Sequence, residues 1–432
     1  MKKLSKVLAI IAVVALFASL GGAALSEEQG GTGVSIVVKK ASGKISVLVP
    51  NFVKEVEFVD KEGRDAKMAD ILADDLNFSG YFTAKRVEAA GKDPAAWSSL
   101  DVDYIAQGGY STDGMEIALS CRLVDARGGS EVMSKRYLDA LKVMRQRTHK
   151  MADDIIFQLS GEKGISQTKV AFVSDMAGST ELYTADYDGR SALRLTRDEN
   201  LCLLPSWSPS GNYVTYTSYK NNNPDLWWVG FDGKKKGILS YYPGLNMAAS
   251  WSPDGQRIAY TLSKDGNSEI YVMRRDGSEL KRLTFNVAID TSPTWSPNGR
   301  ELAFNSDRSG TPQVYIMDSE GGNVRRITYS GSYNASPAWS PAGDRIAYVS
   351  REDGLFNIYL MDVTGGGIVR LTYRQGHNEN PSWSPDGKHI VFSSTREAAK
   401  GIYEMDADGG NARRLNLPGN CQTPAWSPFM GG

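Results

Sequence analysis

The chain has 432 residues, of which 41% are hydrophobic and 23% charged, the composition of a globular protein rather than of a disordered or fibrous one. Its 49 basic and 50 acidic residues give a formal net charge of -1, which argues against the basic surface that nucleic-acid-binding proteins need. Three histidines leave little material for imidazole catalysis or for a histidine metal site.

Residues 1–26 have the pattern of a secretory signal peptide: three lysines, an uncharged apolar run from Val7 to Leu20, then small residues. The run has 14 residues, short of the roughly 20 that a membrane-spanning helix needs. We therefore expect cleavage before Glu27 or after Ala24, and export of the mature chain. Residues 27–40 are predicted to be a mobile N-terminal segment that contains a short β-prone run, Val34-Ser35-Ile36-Val37-Val38.

Residues 41–161 are predicted to form a small α/β domain. Met68, Ile71, Leu72 and Leu76 share one face at helical spacing, which indicates a helix over 65–76. A second amphipathic helix is predicted over 142–159. Runs that alternate or are continuously apolar predict the strands, which cover 44–52, 101–107, 115–124 and 131–138.

Residues 162–432 repeat with a period of 44. The tripeptide Trp-Ser-Pro recurs with spacings of 44, 44, 44, 44 and 43 residues, and its tryptophans are Trp207, Trp251, Trp295, Trp339, Trp383 and Trp426. Each unit indicates four short strands with an Asp-Gly or similar turn between them, which is the pattern of a propeller blade. An earlier copy without tryptophan begins at Val170. The predicted fold class is therefore mainly β: a six-bladed β-propeller of four-stranded blades, preceded by the α/β domain.

The repeat is out of phase with the ends of the propeller. Trp426 is followed by only six residues, so the strand around it has no blade of its own. We expect this last strand to complete the sheet that begins at Val170, with the Trp-Ser-Pro strands innermost and the repeated aromatic residues packed between blades.

Motifs of catalysis are absent from the sequence. There is no G-x-S-x-G elbow, P-loop or H-E-x-x-H, and His149, His377 and His389 are far apart along the chain. We expect no enzymatic activity, no cofactor and no metal.

Cys202 and Cys421 each lie five residues before a repeated tryptophan. Export would allow a disulfide between these neighbouring blades; the alternative is two free buried thiols.

The order of signal peptide, α/β domain and six Trp-Ser-Pro blades, ending in Pro-Ala-Trp-Ser-Pro at 424–428, resembles the TolB family of the bacterial Tol-Pal system. The resemblance implies a non-enzymatic periplasmic protein. Its implied partners are the outer-membrane lipoprotein Pal and the inner-membrane protein TolA. The implied role is to support outer-membrane invagination at cell division and envelope integrity.

The resemblance also suggests two partner sites. Strand addition by Val34, Ser35, Ile36, Val37 and Val38 would bind a TolA-like protein; the alternative is an edge strand packed on its own domain. Loops that enter the Trp-Ser-Pro strands would bind a Pal-like protein, and the candidate residues are Leu245, Asn246, Met247, Asp290, Thr291, Asn334, Ala335 and Asn378. The sequence ranks no blade above another.

We expect a monomer that binds no nucleic acid and has no membrane span. The competing interpretation is a periplasmic carbohydrate-active or lyase-type propeller with a metal in its channel, against which the scarcity of histidine argues.

Overall fold

The computed structural model describes residues 43–88, 101–373, 375–397 and 399–430. Within them the α/β part and the propeller belong to one compact unit. The predicted signal peptide and the segment 27–40, with Val34–Val38, lie outside the described residues.

The α/β part is a mixed sheet with two helices against it. Its elements are β1 (Ile45–Pro50), β2 (Val53–Lys54), α1 (Arg64–Phe78), β3 (Phe82–Val87), β4 (Tyr104–Thr112), β5 (Glu116–Asp125), β6 (Glu131–Ala140) and α2 (Met144–Ser160). The strand order is β3-β1-β4-β5-β6, with β2 paired to β4. Strand β1 runs parallel to β3 and β4, and β4, β5 and β6 are antiparallel.

Both helices form where the hydrophobic spacing predicts them. Met68, Leu72 and Leu76 of α1 are fully buried at intervals of four residues, so they lie on one face of the helix. Asp60 accepts a hydrogen bond from the Arg64 backbone N–H at 2.7 Å and thereby satisfies a donor at the start of α1. Strand β3 was not predicted, because it is an edge strand whose side chains are mostly half-buried or exposed and whose pattern is too polar to indicate a core strand.

The propeller has six four-stranded blades, as predicted. Blade 1 combines β7 (Lys169–Ser174), β8 (Glu181–Asp186) and β9 (Leu193–Arg194) with the last strand, β30 (Cys421–Trp426). Blade 2 is β10 (Cys202–Trp207), β11 (Tyr213–Ser218), β12 (Asp225–Gly230) and β13 (Lys236–Ser240). Blade 3 is β14 (Asn246–Trp251), β15 (Arg257–Leu262), β16 (Glu269–Arg274) and β17 (Lys281–Arg282). Blade 4 is β18 (Asp290–Trp295), β19 (Glu301–Ser306), β20 (Gln313–Asp318) and β21 (Arg325–Arg326). Blade 5 is β22 (Asn334–Trp339), β23 (Arg345–Glu352), β24 (Leu355–Asp362) and β25 (Val369–Arg370). Blade 6 is β26 (Asn378–Trp383), β27 (His389–Glu397), β28 (Ala399–Asp406) and β29 (Arg413–Arg414).

The ring is closed by pairing the two ends of the propeller in one sheet. Strand β30 pairs antiparallel with β7, with Trp426 opposite Val170. Beyond the strand, the Ser427 hydroxyl accepts a hydrogen bond from the Lys169 N–H at 2.9 Å. Opening the ring would therefore break strand hydrogen bonds as well as packing, and the predicted closure is confirmed.

Repeated aromatic and glycine residues fill the contacts between blades. Trp207 and Trp383 are buried, and each donates its indole N–H to a carbonyl of the preceding blade in the ring, Ala425 and Ala338 respectively, at 3.0 Å. Gly365 has φ 89°, and a Cβ there would lie 2.5 Å from the Ile327 carbonyl oxygen of the neighbouring blade. Glycine is therefore required both by the turn and by the close approach of the blades.

Candidate partner-binding site

The two faces of the propeller are chemically different. Because the strands of each blade are antiparallel, the turns after the first and third strands share one face, and the other connections share the opposite face. The α/β part contacts the first of these faces: Phe78 of α1 stacks on His389 at 4.1 Å, and Lys388 lies 3.0 Å from the ring centroid of Tyr81. The opposite face, formed by the loops between second and third strands and the loops between blades, is called here the loop face. The described part of the α/β domain leaves it uncovered.

Four of the candidate residues for partner binding are buried supports of the loop face. Asn246, Asp290, Asn334 and Asn378 each begin an innermost strand and are fully buried. The amide of Asn246, for example, donates to the carbonyls of Tyr242 and Gly244 at 2.7 and 3.0 Å. These side chains shape the loops from beneath and are not themselves open to a partner.

The remaining candidates have mixed accessibility. Leu245, Met247 and Thr291 are half-buried, whereas Ala335 is buried. Val287 and Ile289, in the loop that leads into β18, are strongly exposed. The structure thus brings the predicted loops together on one face, but only part of each loop is presented to solvent.

An arc of exposed aromatic residues on the loop face was missed by the sequence analysis. Its members follow the outermost strand of blades 2 to 5, are between 58% and 73% exposed, and are Tyr241, Phe285, Tyr329 and Tyr373. In three of these blades an arginine from the outermost strand lies over the ring, at centroid distances of 4.9 to 5.3 Å. The arc could have been found from its 44-residue register, directly after the repeated Leu/Ile-Thr or Leu-Ser pair. Large exposed apolar groups gathered on one face are typical of protein-docking surfaces.

The innermost strands surround a cavity that is lined by uncharged residues, both polar and apolar. Each innermost strand carries a bulge with a non-glycine residue at positive φ, between 48° and 54°; these residues are Leu204, Ala248, Ser292, Ser336, Asn380 and Thr423. They and their neighbouring prolines or alanine line a cavity of about 140 Å³. None of these described lining residues is a carboxylate, an imidazole or a thiol.

A second cavity, of about 640 Å³, lies between the α/β part and blades 1 and 6. Beside it is a buried hydrogen-bond network across the domain boundary. Asp75 of α1 lies 2.7 Å from Nδ1 of His149 in α2 and accepts a hydrogen bond from the Tyr187 hydroxyl of blade 1 at 2.6 Å. Burial raises the pKa of Asp75 to about 6. The pKa of His149 is also raised, because the adjacent carboxylate outweighs the effect of burial.

The histidines and cysteines do not assemble into a reactive site. His149 and His389 are buried near the domain boundary, whereas His377 lies on the loop face, where it accepts a hydrogen bond from the Phe356 backbone N–H. Among the described residues no group of three or more His, Cys, Asp or Glu side chains is arranged to hold a metal ion.

The disulfide considered between Cys202 and Cys421 is not formed, since both are free buried thiols. Each thiol instead faces groups near its own strand. Cys202 lies 3.8 Å from the Thr196 hydroxyl, and Cys421 donates to the Pro418 carbonyl at 3.2 Å.

No helix in the described ranges is long and apolar enough to cross a membrane.

Comparison with known proteins agrees with both parts of the fold. A family model described as the TolB beta propeller domain matches residues 157–430, and a model of the TolB amino-terminal domain matches residues 34–132. The chain belongs to the TolB family. The structure of TolB from Acinetobacter baumannii is similar, with a TM-score of 0.76 and 26% identity over 90% of this chain and 97% of that one.

Relatives with closer sequence identity match over shorter regions. The "Tol-Pal system protein TolB" of Geobacter sulfurreducens is 42% identical over 33% of this chain and 35% of its own length. That of Geobacter metallireducens is 44% identical over 34% and 36%. The chain therefore matches about a third of the length of these TolB relatives.

Proposed function

We propose that this protein is a non-enzymatic component of the Tol-Pal system that works in the periplasm by binding other proteins. Its membership of the TolB family supports this. In this proposal it links a TolA-like inner-membrane protein to a Pal-like outer-membrane lipoprotein. It thereby supports outer-membrane invagination at division and the integrity of the envelope.

The loop face is the proposed site for the Pal-like lipoprotein. The observation that carries this proposal is the uncovered arc Tyr241, Phe285, Tyr329 and Tyr373, together with Val287 and Ile289. Exposing these groups to water is unfavourable, and a partner that covers them gains about 25 cal/mol for each Å² of apolar area buried. The buried residues Asn246, Asp290, Asn334 and Asn378 contribute indirectly, by holding the loops in shape.

Calorimetric titration of the protein with the soluble domain of the organism's own peptidoglycan-associated lipoprotein tests this site. We expect Phe285→Ser combined with Tyr329→Ser to weaken binding at least tenfold, since large apolar anchors carry much of the energy of such interfaces. Phe157→Ser is the matched control, because Phe157 is also an exposed aromatic residue but lies on α2. Unchanged binding by the double variant, or an equal loss in the control, would contradict the proposal.

The N-terminal segment is the proposed site for the TolA-like partner, by strand addition through Val34–Val38. Its support is the β-prone sequence and the family to which the chain belongs. Deletion of residues 27–38 should abolish binding to the periplasmic domain of the organism's TolA-like protein and leave binding to the lipoprotein domain in place or stronger. Retained TolA binding after the deletion would refute this site.

Sedimentation of the mature protein alone should give a monomer.

A further inference from the structure

Two arginines at the same position of the repeat have closely similar surroundings. Arg308 follows the second strand of blade 4, and Arg396 lies at the loop-face end of the longer second strand of blade 6. The Arg308 Nε–H donates to the Ser306 hydroxyl at 2.8 Å, and the Arg396 Nε–H donates to the Ser394 hydroxyl at 3.1 Å. Each guanidinium also lies over two aromatic rings of its own blade, at centroid distances of 4.4 to 5.4 Å.

The two arginines differ in the charge of the group that they contact on the innermost strand. Arg308 Nη2 lies 2.7 Å from the Asp290 carboxylate. At the equivalent position blade 6 has an amide, and Arg396 Nη2 donates to Asn378 Oδ1 at 3.0 Å. No carboxylate of the described residues forms an ion pair with Arg396, and the adjacent Glu397 instead pairs with Arg414 at 2.7 Å.

The half-buried position of Arg396 makes the lack of a direct ion pair unfavourable. Its side chain is half-buried, and burial lowers the pKa of the guanidinium. Strands β27 and β28 have nine and eight residues, compared with six in β19 and β20 of blade 4. The hairpin of blade 6 therefore extends further at the loop-face end. The neighbouring Glu397 carboxylate partly offsets the effect of burial on the pKa of Arg396, but it is paired with Arg414. A partly desolvated cation without a directly paired anion is incompletely compensated, and a carboxylate placed against it forms short, charge-assisted hydrogen bonds.

We propose that Arg396 is an anchoring residue of the loop face that receives an Asp or Glu carboxylate from the protein partner. The inference rests on the proposed binding of a Pal-like lipoprotein and deepens it, because it assigns a part of the interface to blade 6 and a charge to the complementary group. The amide of Asn378 keeps the guanidinium oriented while leaving its charge available. In blade 4 Asp290 already satisfies the equivalent charge, so Arg308 is not available in the same way.

The repeat itself provides the variant that tests this. Asn378→Asp gives blade 6 the ion pair that blade 4 already contains, so the variant is expected to fold and to melt no lower than the wild type. Arg396→Gln removes the charge instead. We expect each substitution to weaken binding of the soluble lipoprotein domain by about ten- to a hundredfold, the range for hydrogen bonds to charged groups.

Lys400→Gln is the matched control, since Lys400 is an exposed cation on the same hairpin and its loss changes the net charge equally. We expect less than a threefold effect, because exposed charges are screened by salt. Equal losses for Lys400→Gln and Arg396→Gln, or wild-type affinity in Asn378→Asp, would overturn the role of Arg396 while leaving the proposed function in place. Absence of binding by the wild-type protein would instead overturn the proposed function, and this inference with it.

Discussion

Removing one hydroxyl group, by Tyr187→Phe, should loosen the contact between the α/β part and the propeller. Tyr187 is fully buried, and its hydroxyl donates to Asp75 across the boundary at 2.6 Å. Phenylalanine keeps the ring against Phe78, at 4.9 Å between centroids, so no large cavity is created. The substitution leaves a buried carboxylate with one fewer donor, which costs about 2–3 kcal/mol.

Native-state hydrogen exchange measures this effect where it arises. Amides in residues 74–79 and 186–190 lie at the boundary, and their exchange at pH 7.5 should be about 30- to 150-fold faster if interface opening becomes easier by that free energy. The whole-protein unfolding curve is less suitable, because a protein of two parts need not unfold in a single step.

Tyr110→Phe is the matched control for this prediction. Tyr110 is also fully buried, and its hydroxyl donates to Asp60 at 2.8 Å within the α/β part. We expect this variant to destabilise the α/β part without accelerating exchange at residues 186–190. Less than a twofold change in Tyr187→Phe, or equal acceleration in the control, would refute the reasoning that this hydrogen bond holds the two parts together.

Three further predictions follow from the buried groups and the ring closure. The pKa values of Asp75 (to about 6) and His149 are both raised, so the docked interface holds protons that the unfolded chain releases. Its stability should fall as pH increases from about 4 to above 7, as measured by exchange at the boundary, and Asp75→Asn should flatten this dependence. Truncation after Asn420 removes β30 and should abolish cooperative unfolding of the propeller in urea, whereas retained cooperativity would show that the closing strand is dispensable. Cys202 and Cys421, whose pKa values burial raises to about 12 and 11, should resist a thiol reagent in the native state. The melting temperature should be the same with and without reductant.

The propeller could be predicted almost completely from the sequence because its information is local and repeated. Each blade is specified by short-range signals: turn residues, alternating apolar positions and a tryptophan at fixed spacing. Each of these signals is weak in a single blade, but together they predict the fold reliably because they recur at the same positions in every repeat. The α/β part lacks such repetition, and the edge strand β3 (Phe82–Val87) was missed, since it is defined by pairing with β1 rather than by its own pattern.

The surface proposed to bind a partner could be predicted from the sequence only in outline. Register in the repeat placed the candidate loops on one face, as the structure has them, but it did not distinguish the buried Asn246 and Asn378 from the exposed Phe285 and Tyr329. Burial at the start of an innermost strand depends on the loop that folds back over it, so it is a property of the assembled blade. The network of Asp75, His149 and Tyr187 could not be predicted for the same reason, because its members are separated by up to 112 residues.

The number of blades, the place of each turn and the closure of the ring by the last strand could be predicted from the sequence, because they follow from a 44-residue period and local hydrogen-bonding preferences. Which face of the propeller is free, and which charges are compensated, depends on how the parts pack in three dimensions. Arg308 and Arg396 occupy the same position of the repeat. They differ in the residue that each contacts, Asp290 or Asn378, which lies 18 residues earlier in the chain and is brought close by strand pairing. Ion pairing and desolvation depend on distances of a few ångströms in space, which a pattern along the chain does not contain.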